Sequence, residues 1–241
     1  MVGSILIDLD SSQLYGTIEA NCSLFHLKHL DVVDNNFNPS QIPSRIGELS
    51  QLSYVTISSS LQRLSLDHCE LHGEFPSGIF QLQNLRYLNM GNRQNLTGSM
   101  PSSFGNLTQL MVLDIEHNKF RGHLSSFLEN LSKLRTLIVG WNEFITGTFS
   151  WIFGMVLSCF GSSSQSLKVL VLKGNKFIGL IPQTYMITSD MRMMDLSNNY
   201  LQGQLPRESV NCRMLEVIDV RNNQINDSFP CWLGTLPEVV V

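Results

Sequence analysis

The sequence lacks the features that mark several large classes of protein. It contains no run of about 18 apolar residues, so no segment is predicted to cross a bilayer as a helix. The opening MVGSILIDLD is short and has no basic flank, unlike a secretory signal peptide. A net charge of -4 argues against a nucleic-acid-binding protein, which would carry a basic surface. We therefore expect no targeting segment, no spanning helix and no nucleic-acid partner within this chain.

Cysteine pairs and catalytic motifs are also missing. The five cysteines are odd in number and form no C-x-x-C, so neither a zinc knuckle nor a disulfide framework is indicated. The sequence has no G-x-S-x-G, no G-x-G-x-x-G, no P-loop and no kinase signature, and its six histidines are scattered. The sequence predicts a protein that is not an enzyme and that has no cofactor and no metal site.

What the sequence does contain is a repeat of the form L-x-x-L-x-L-x-x-N-x-L. The fourth position of this frame, here called the marker, recurs mostly every 23 to 25 residues, which is the period of a leucine-rich-repeat solenoid. Clear copies are LMVLDIEHNKF (110–120), LRTLIVGWNEF (134–144), LKVLVLKGNKF (167–177), MRMMDLSNNYL (191–201) and LEVIDVRNNQI (215–225). The markers are Ile7, Leu30, Val55, Leu64, Leu88, Leu113, Leu137, Leu170, Met194 and Ile218.

Each position in the frame has a physical role. The L-x-L segment predicts a short strand whose leucines point inward, while the residues between them face outward on the concave side. The asparagine five positions after the marker is expected to satisfy backbone groups at the turn, as a ladder from coil to coil. In two coils Ser12 and Cys69 replace it, so Cys69 is interpreted as a small buried filler and not a reactive thiol. The ladder residues are Asn35, Asn118, Asn142, Asn175, Asn199 and Asn223.

The second half of each repeat follows L-x-G-x-φ-P, where φ is apolar. Glycine permits a tight turn, and proline ends the strand pairing and begins the convex segment. Copies are LHGEFP (71–76), LTGSMP (96–101), FIGLIP (177–182) and LQGQLP (201–206). This half resembles the plant-specific subclass of leucine-rich repeats, which implies short extra strands near the turn. The predicted fold is an α/β solenoid, a right-handed superhelix with a parallel concave sheet of about ten strands and convex 3₁₀ or helical turns, forming one domain over 1–241.

Two intervals break the period. Val55 to Leu64 spans only 9 residues, and Leu137 to Leu170 spans 33. A full coil needs roughly 20 to 29 residues, so we infer missing sequence with irregular junctions near 58–61 and 152–154. Neither end shows a polar cap of the kind that solenoids need, and the chain is expected to be a partial member.

The outward positions of the strands are the candidate ligand-binding surface, because a large, rigid and varied face suits protein or peptide recognition. The alternative is that these residues are solvated fillers. The outward aspartates on successive strands suggest a calcium site, but aspartate is common at this position of such repeats. The side chains of His68 and Cys69 are expected to point in different directions, so they should not share one zinc ion. The candidate residues are Tyr87, Asp114, Glu116, His117, Trp141, Lys173, Asp195 and Arg221.

Candidate glycosylation sites follow the N-x-S/T pattern. Asn106 and Asn130 occupy the same repeat position, just before a strand, where a glycan would suit a secreted protein. The alternative is that NL is simply repeat consensus. We predict glycosylation at Asn21, Asn95, Asn106 and Asn130.

A closer resemblance is carried by the segments 23–54, 166–182 and 231–238. They are similar to the ectodomains of plant Cf-type receptor-like proteins, whose extracellular solenoid is followed by one transmembrane helix and a short tail without a kinase. The resemblance implies a ligand-recognition segment in pathogen perception and defence signalling. It also implies an extracellular protein or peptide ligand, receptor-kinase co-receptors and a parent protein on the outer side of the plasma membrane.

Three other readings stay open. One is a soluble inhibitor of microbial cell-wall hydrolases, similar to polygalacturonase-inhibiting proteins, although those have uniform repeats and intact caps. Another is the ectodomain of a leucine-rich-repeat receptor kinase. The third is a truncated product without activity.

Overall fold

The main sheet contains one short strand from each coil of a parallel solenoid. The computed structural model describes residues 5–16, 27–35, 61–75, 77–92, 95–124, 128, 130–144, 167–181, 190–205, 207 and 213–238. Within these residues the main sheet has nine strands, and each neighbour follows in chain order. They are β1 (Ile5–Asp8), β2 (Leu27–Asp31), β3 (Arg63–Ser65), β5 (Tyr87–Asn89), β7 (Val112–Asp114), β9 (Thr136–Ile138), β11 (Val169–Val171), β13 (Met193–Asp195) and β15 (Val217–Asp219).

The core lies behind this sheet, where the repeat marker points. Leu64, Leu88, Leu113 and Leu137 are fully buried, while the residues on either side of each marker in β5, β7 and β9 are half-buried. Side chains of a strand alternate between its two faces, so the L-x-L pattern sends leucines inward and leaves alternate positions on the concave surface. The solenoid predicted from the period is confirmed.

Two smaller parallel sheets form from the L-x-G half of the repeats, as the plant-type resemblance predicts. Glycines in these strands have positive φ, for example 105° at Gly98 and 108° at Gly179, a conformation that costs glycine little. One sheet contains β4 (His72–Glu74), β6 (Asn95–Ser99), β8 (Lys119–Gly122) and β10 (Glu143–Phe144); the other contains β12 (Ile178–Leu180), β14 (Tyr200–Gly203) and β16 (Gln224–Ile225). Three 3₁₀ helices lie at Ser77–Gln81, Ser102–Asn106 and Cys231–Thr235.

The main sheet is continuous across both irregular intervals. Strand β2 pairs directly with β3, with Leu30 opposite Leu64, so no strand of this sheet stands between them. Paired strands lie about 4.8 Å apart, which leaves no room for another strand. The strands that pair here are 34 residues apart from Leu30 to Leu64, and β9 pairs directly with β11 across the 33-residue interval in the same way. The predicted marker Val55, residues 58–60 of the predicted junction near 58–61, and the predicted junction near 152–154 lie outside the described residues.

The asparagine ladder ties consecutive coils together. The Asn142 side-chain amide donates to the carbonyls of Ile115, Val139 and Gly140 at 2.9 to 3.1 Å, and its Oδ1 accepts the N–H of Phe120 at 3.0 Å. Each side chain thus satisfies backbone groups of its own coil and of the preceding coil, where the turn leaves them without strand partners. The same pattern is made by Asn35, Asn118, Asn175, Asn199 and Asn223.

Candidate functional site on the concave sheet

Five of the predicted concave residues meet at the centre of the sheet: Asp114, Glu116, His117, Trp141 and Lys173. An ion pair joins Glu116, just after β7, to Lys173, just after β11, with Oε2 and Nζ 3.6 Å apart. The coil between them contributes Gly140, where a built Cβ would lie 3.0 Å from Lys173 Cγ and 3.2 Å from Glu116 Oε2. The absence of a side chain at Gly140 therefore lets residues two coils apart form an ion pair.

An aromatic stack lies beside this ion pair. The rings of His117 and Trp141 are 5.8 Å apart and inclined by only 19°. On the next coil, a Cβ at Gly174 would lie 2.4 Å from the Trp141 ring, so the indole packs against the bare backbone there. Trp141 is nevertheless 43% exposed. The indole therefore packs between His117 and the backbone at Gly174 and remains partly exposed to solvent.

The two rings are carried by residues with an unusual backbone conformation, at the turn that follows each strand. His117 and Trp141 have φ of 55° and 50°, and the equivalent residue in other coils is also left-handed, including His68 and Asn198. A non-glycine residue with positive φ is uncommon, and a bulky one is a marked outlier. The ladder asparagine that follows bonds the turn on both sides and holds this conformation. The left-handed residue is therefore a feature of the repeat, and in this coil the repeat places a tryptophan there.

Carboxylates gather next to the stack. Burial raises the pKa of Asp114 to about 6, although its hydrogen bond from the Glu116 N–H acts in the opposite direction and the charges of Glu116 and Asp67 add to the rise. Asp67 Oδ2 lies 3.1 Å from His68 Nδ1, whereas its Oδ1 is buried without a hydrogen-bond partner. The centre of the concave face is therefore acidic, with Lys173 as its cation.

The other predicted ligand-binding residues lie outside this central cluster. Tyr87 lies beneath the Arg63 guanidinium, 3.6 Å from Cζ to the ring centroid. Asp195 is only 8% exposed and accepts hydrogen bonds from the Ser197 N–H and hydroxyl at 3.1 and 2.7 Å. Arg221 is exposed, and its guanidinium binds both carboxylate oxygens of Asp219, which lowers the pKa of that carboxyl. The structure thus gives Asp195 a structural role and leaves Arg221 at the far end of the sheet.

The predicted glycosylation sites are exposed where they are described. Asn95 begins β6, Asn106 ends a 3₁₀ helix and Asn130 lies in the equivalent turn of the next coil. Asn21 lies outside the described residues. Cys69 is fully buried, its thiol donates to the Val32 carbonyl at 2.9 Å, and burial raises the pKa of the thiol to about 12. These features support the interpretation of Cys69 as a filler of the ladder.

Sequence reasoning missed two contributors to the site. Gly140 and Gly174 carry no chemistry themselves, yet they create the space for the ion pair and for the indole. A comparison of equivalent positions in successive repeats could have found them, because glycine interrupts rows of larger residues there. Arg63 was also passed over as a partner of Tyr87.

Metal-ligand clusters and membrane-spanning helices are both absent from the part of the chain that the structure describes. Across the described ranges, no group of three or more histidine, cysteine, aspartate or glutamate side chains is arranged to hold a metal ion. In the same part of the chain, no helix has the length and apolar character needed to cross a membrane.

Comparison with known sequences gives the family. The profile of the family described as "Leucine-rich repeat region" matches residues 7–153, and a "Leucine Rich Repeat" profile matches 214–236. Receptor-like protein 18 of Arabidopsis thaliana is 31% identical over 98% of this chain, and Receptor-like protein 35 is 32% identical over 87%. The chain spans only 28% and 18% of the lengths of these two relatives.

Solved structures with the same fold include plant receptor ectodomains. The ectodomain of the Arabidopsis thaliana receptor kinase GASSHO1/SCHENGEN3, in complex with CASPARIAN STRIP INTEGRITY FACTOR 2, superposes with a TM-score of 0.79 at 25% identity, covering 94% of this chain and 25% of that one. The Arabidopsis receptor kinase HAESA, in complex with the peptide hormone IDA and the co-receptor SERK1, gives 0.79 and 25%, covering 96% and 36%. The protein therefore belongs to the leucine-rich-repeat family, as a chain similar to plant receptor-like proteins.

Proposed function

We propose that this chain is the ligand-recognition segment of a plant cell-surface receptor-like protein that perceives pathogen-derived molecules and triggers defence. The ligand is an extracellular peptide or protein that binds without being chemically changed. The observation that carries the proposal is the stack of His117 and Trp141 beside the Glu116–Lys173 ion pair, on a sheet whose backbone is held by the asparagine ladder. Exposed tryptophan on a rigid scaffold contributes strongly to binding because little conformational freedom is lost.

Partners and location follow from the same similarity. HAESA is seen with a peptide hormone and the co-receptor SERK1. By analogy, the parent protein would lie on the outer side of the plasma membrane and signal through receptor-kinase co-receptors, with glycans on the exposed asparagines. The hydrolase-inhibitor reading remains the alternative from another functional class.

A binding experiment tests the proposal. The immobilised chain is exposed to peptide fractions of intercellular fluid from healthy and infected leaves, and binding is followed by surface plasmon resonance. We expect a fraction specific to infected leaves to bind, and we expect Trp141→Ala to weaken that binding about 30-fold, the size of a typical hot spot. Tyr200→Ala is the matched control, since Tyr200 is also an exposed aromatic residue but lies on β14.

Three results would argue against the proposal. Equal binding of healthy and infected fractions would remove the defence role. Equal losses in the Trp141 and Tyr200 variants would remove the concave site. Inhibition of a fungal polygalacturonase by the chain, at the same concentration as binding, would favour the hydrolase-inhibitor alternative.

A further inference from the structure

A second ordered row of side chains lies just before the strands of the main sheet. Its members are two positions before the repeat marker, and the backbone N–H of each donates to the carbonyl of its predecessor at 2.8 Å. Neighbouring members are therefore about 4.8 Å apart, the spacing of paired strands. In order along the solenoid they are Gln62, Arg86, Met111, Arg135, Lys168, Arg192 and Glu216.

Four members are basic, and we name Arg86, Arg135, Lys168 and Arg192 the basic row. Arg86 and Arg192 are exposed, and the other two are half-buried. Arg192 forms an ion pair with Glu216. Among the described residues, no carboxylate lies within ion-pair distance of Arg86, Arg135 or Lys168.

The basic row costs stability in the free protein. Arg135, Lys168 and Arg192 follow one another on successive coils, and like charges directly opposite each other on neighbouring strands destabilise a sheet. The chain as a whole carries a net charge of -4. A cationic row in an acidic protein, without anionic partners for most of its length, is the arrangement expected of a surface that meets an anionic ligand.

The adjacent row is mostly apolar, with Thr136 as a polar member, and this restricts the kind of ligand. These residues begin the strands and pair in register from coil to coil. Val217 is 41% exposed, and the others are half-buried. We name them the apolar row: Tyr87, Val112, Thr136, Val169, Met193 and Val217.

We propose that the basic row and the apolar row together bind an extended peptide segment that carries acidic side chains along one edge and apolar side chains along the other. The inference rests on the proposed function as a peptide receptor and specifies its ligand. Arg86 to Arg192 covers four coil steps, about 19 Å, which matches about six residues of extended peptide. A nucleic acid or an acidic polysaccharide has no apolar side chains for the second row, and a wide polyanion would meet Asp114 and Glu116 beyond it.

Synthetic peptides test this ligand class with the full chain. The probe is a capped octapeptide of alternating aspartate and leucine. One comparison peptide replaces aspartate with lysine, and another replaces leucine with serine. We expect the probe to bind best, the serine peptide more weakly and the lysine peptide not at all, by fluorescence polarisation at low salt. Raising the salt to about 0.5 M should weaken binding of the probe, because exposed charges are screened.

A paired substitution isolates the basic row. Arg135→Gln with Lys168→Gln removes two charges from the row, and Lys119→Gln with Arg121→Gln removes two from exposed positions on β8. We expect about 5- to 10-fold weaker binding of the probe by the first variant, the sum of two charge contacts that are partly open to solvent, and no change in the second. The first variant should unfold at the same or a higher temperature than the parent, because repulsion is relieved.

The outcomes separate the two proposals. Equal binding of the probe by both variants, or equal binding of the aspartate–leucine and aspartate–serine peptides, would overturn the ligand class. Binding of an oligogalacturonate as strong as that of the probe would replace the peptide with a polyanionic saccharide. If the probe fails while leaf-fluid ligands still bind in a manner that depends on Trp141, only the inference about the rows falls. If both fail, the receptor proposal falls as well.

Discussion

Replacement of one ladder asparagine offers the sharpest test of how the solenoid is held together. Asn199 is 5% exposed, and its amide donates to the carbonyls of Leu172, Leu196 and Ser197 at 3.0 to 3.1 Å. Its Oδ1 accepts the N–H of Phe177 at 3.1 Å. Asn199→Ala removes all four hydrogen bonds and leaves a small void between two coils.

The magnitude follows from these four bonds. At about 1 kcal/mol each, their loss should lower the free energy of unfolding by about 4 kcal/mol. The chain itself supplies an intermediate case, because Cys69 occupies the equivalent position and its thiol donates to the Val32 carbonyl of the preceding coil. Asn199→Cys should therefore be less harmful than Asn199→Ala, with a loss of about 2 to 3 kcal/mol.

Urea unfolding followed by circular dichroism measures these differences. Gln202→Ala is the control, since it removes one exposed hydrogen bond, from the Gln202 side-chain amide to that of Gln224, and should change the free energy of unfolding by less than about 0.5 kcal/mol. The reasoning is refuted if Asn199→Ala is no more destabilising than Gln202→Ala. A cysteine variant less stable than the alanine variant would refute the explanation of Cys69.

Two further predictions concern pH and glycans. The pKa of Asp114 is raised from 3.8 to about 6, so between these pH values the folded chain holds a proton that the unfolded chain releases. The free energy of unfolding should therefore fall as pH rises from about 4 to about 6 and remain lower above that, and Asp114→Asn should be more stable than the parent by about 1 to 3 kcal/mol at pH 7.5 but not at pH 4. Urea titrations that give the same stability difference at both pH values would contradict this prediction. When the chain is secreted from plant cells, Asn106→Gln and Asn130→Gln should each remove one glycan and increase gel mobility, and a parent chain whose mobility is unchanged by glycosidase would contradict glycosylation at these sites.

The repeat itself was predictable because its causes are local. The spacing of Leu88, Leu113 and Leu137 already indicates which side chains point inward, and the asparagine that follows each strand indicates the turn. Glycine in the L-x-G half indicates the second strand in the same way. These features depend on residues a few positions apart, so each repeat carries its own evidence for the fold.

Contacts between coils were decided only by the tertiary structure. Glu116 meets Lys173 because β11 pairs with β9 despite the 33-residue interval between their markers, and because Gly140 leaves space between the two side chains. Aspartates at equivalent repeat positions also differ in their surroundings: Asp114 lies in the central cluster, whereas Asp195 is buried and accepts hydrogen bonds from Ser197.

The sequence by itself therefore determined the solenoid, its inward face and the ladder, and it identified the outward positions from which a site could be built. The tertiary structure decided which outward residues meet and revealed that cations from distant repeats form one row. The physical reason is that the repeat period controls the direction of each side chain, whereas the lengths of the coils and the sizes of neighbouring side chains control which of them come into contact.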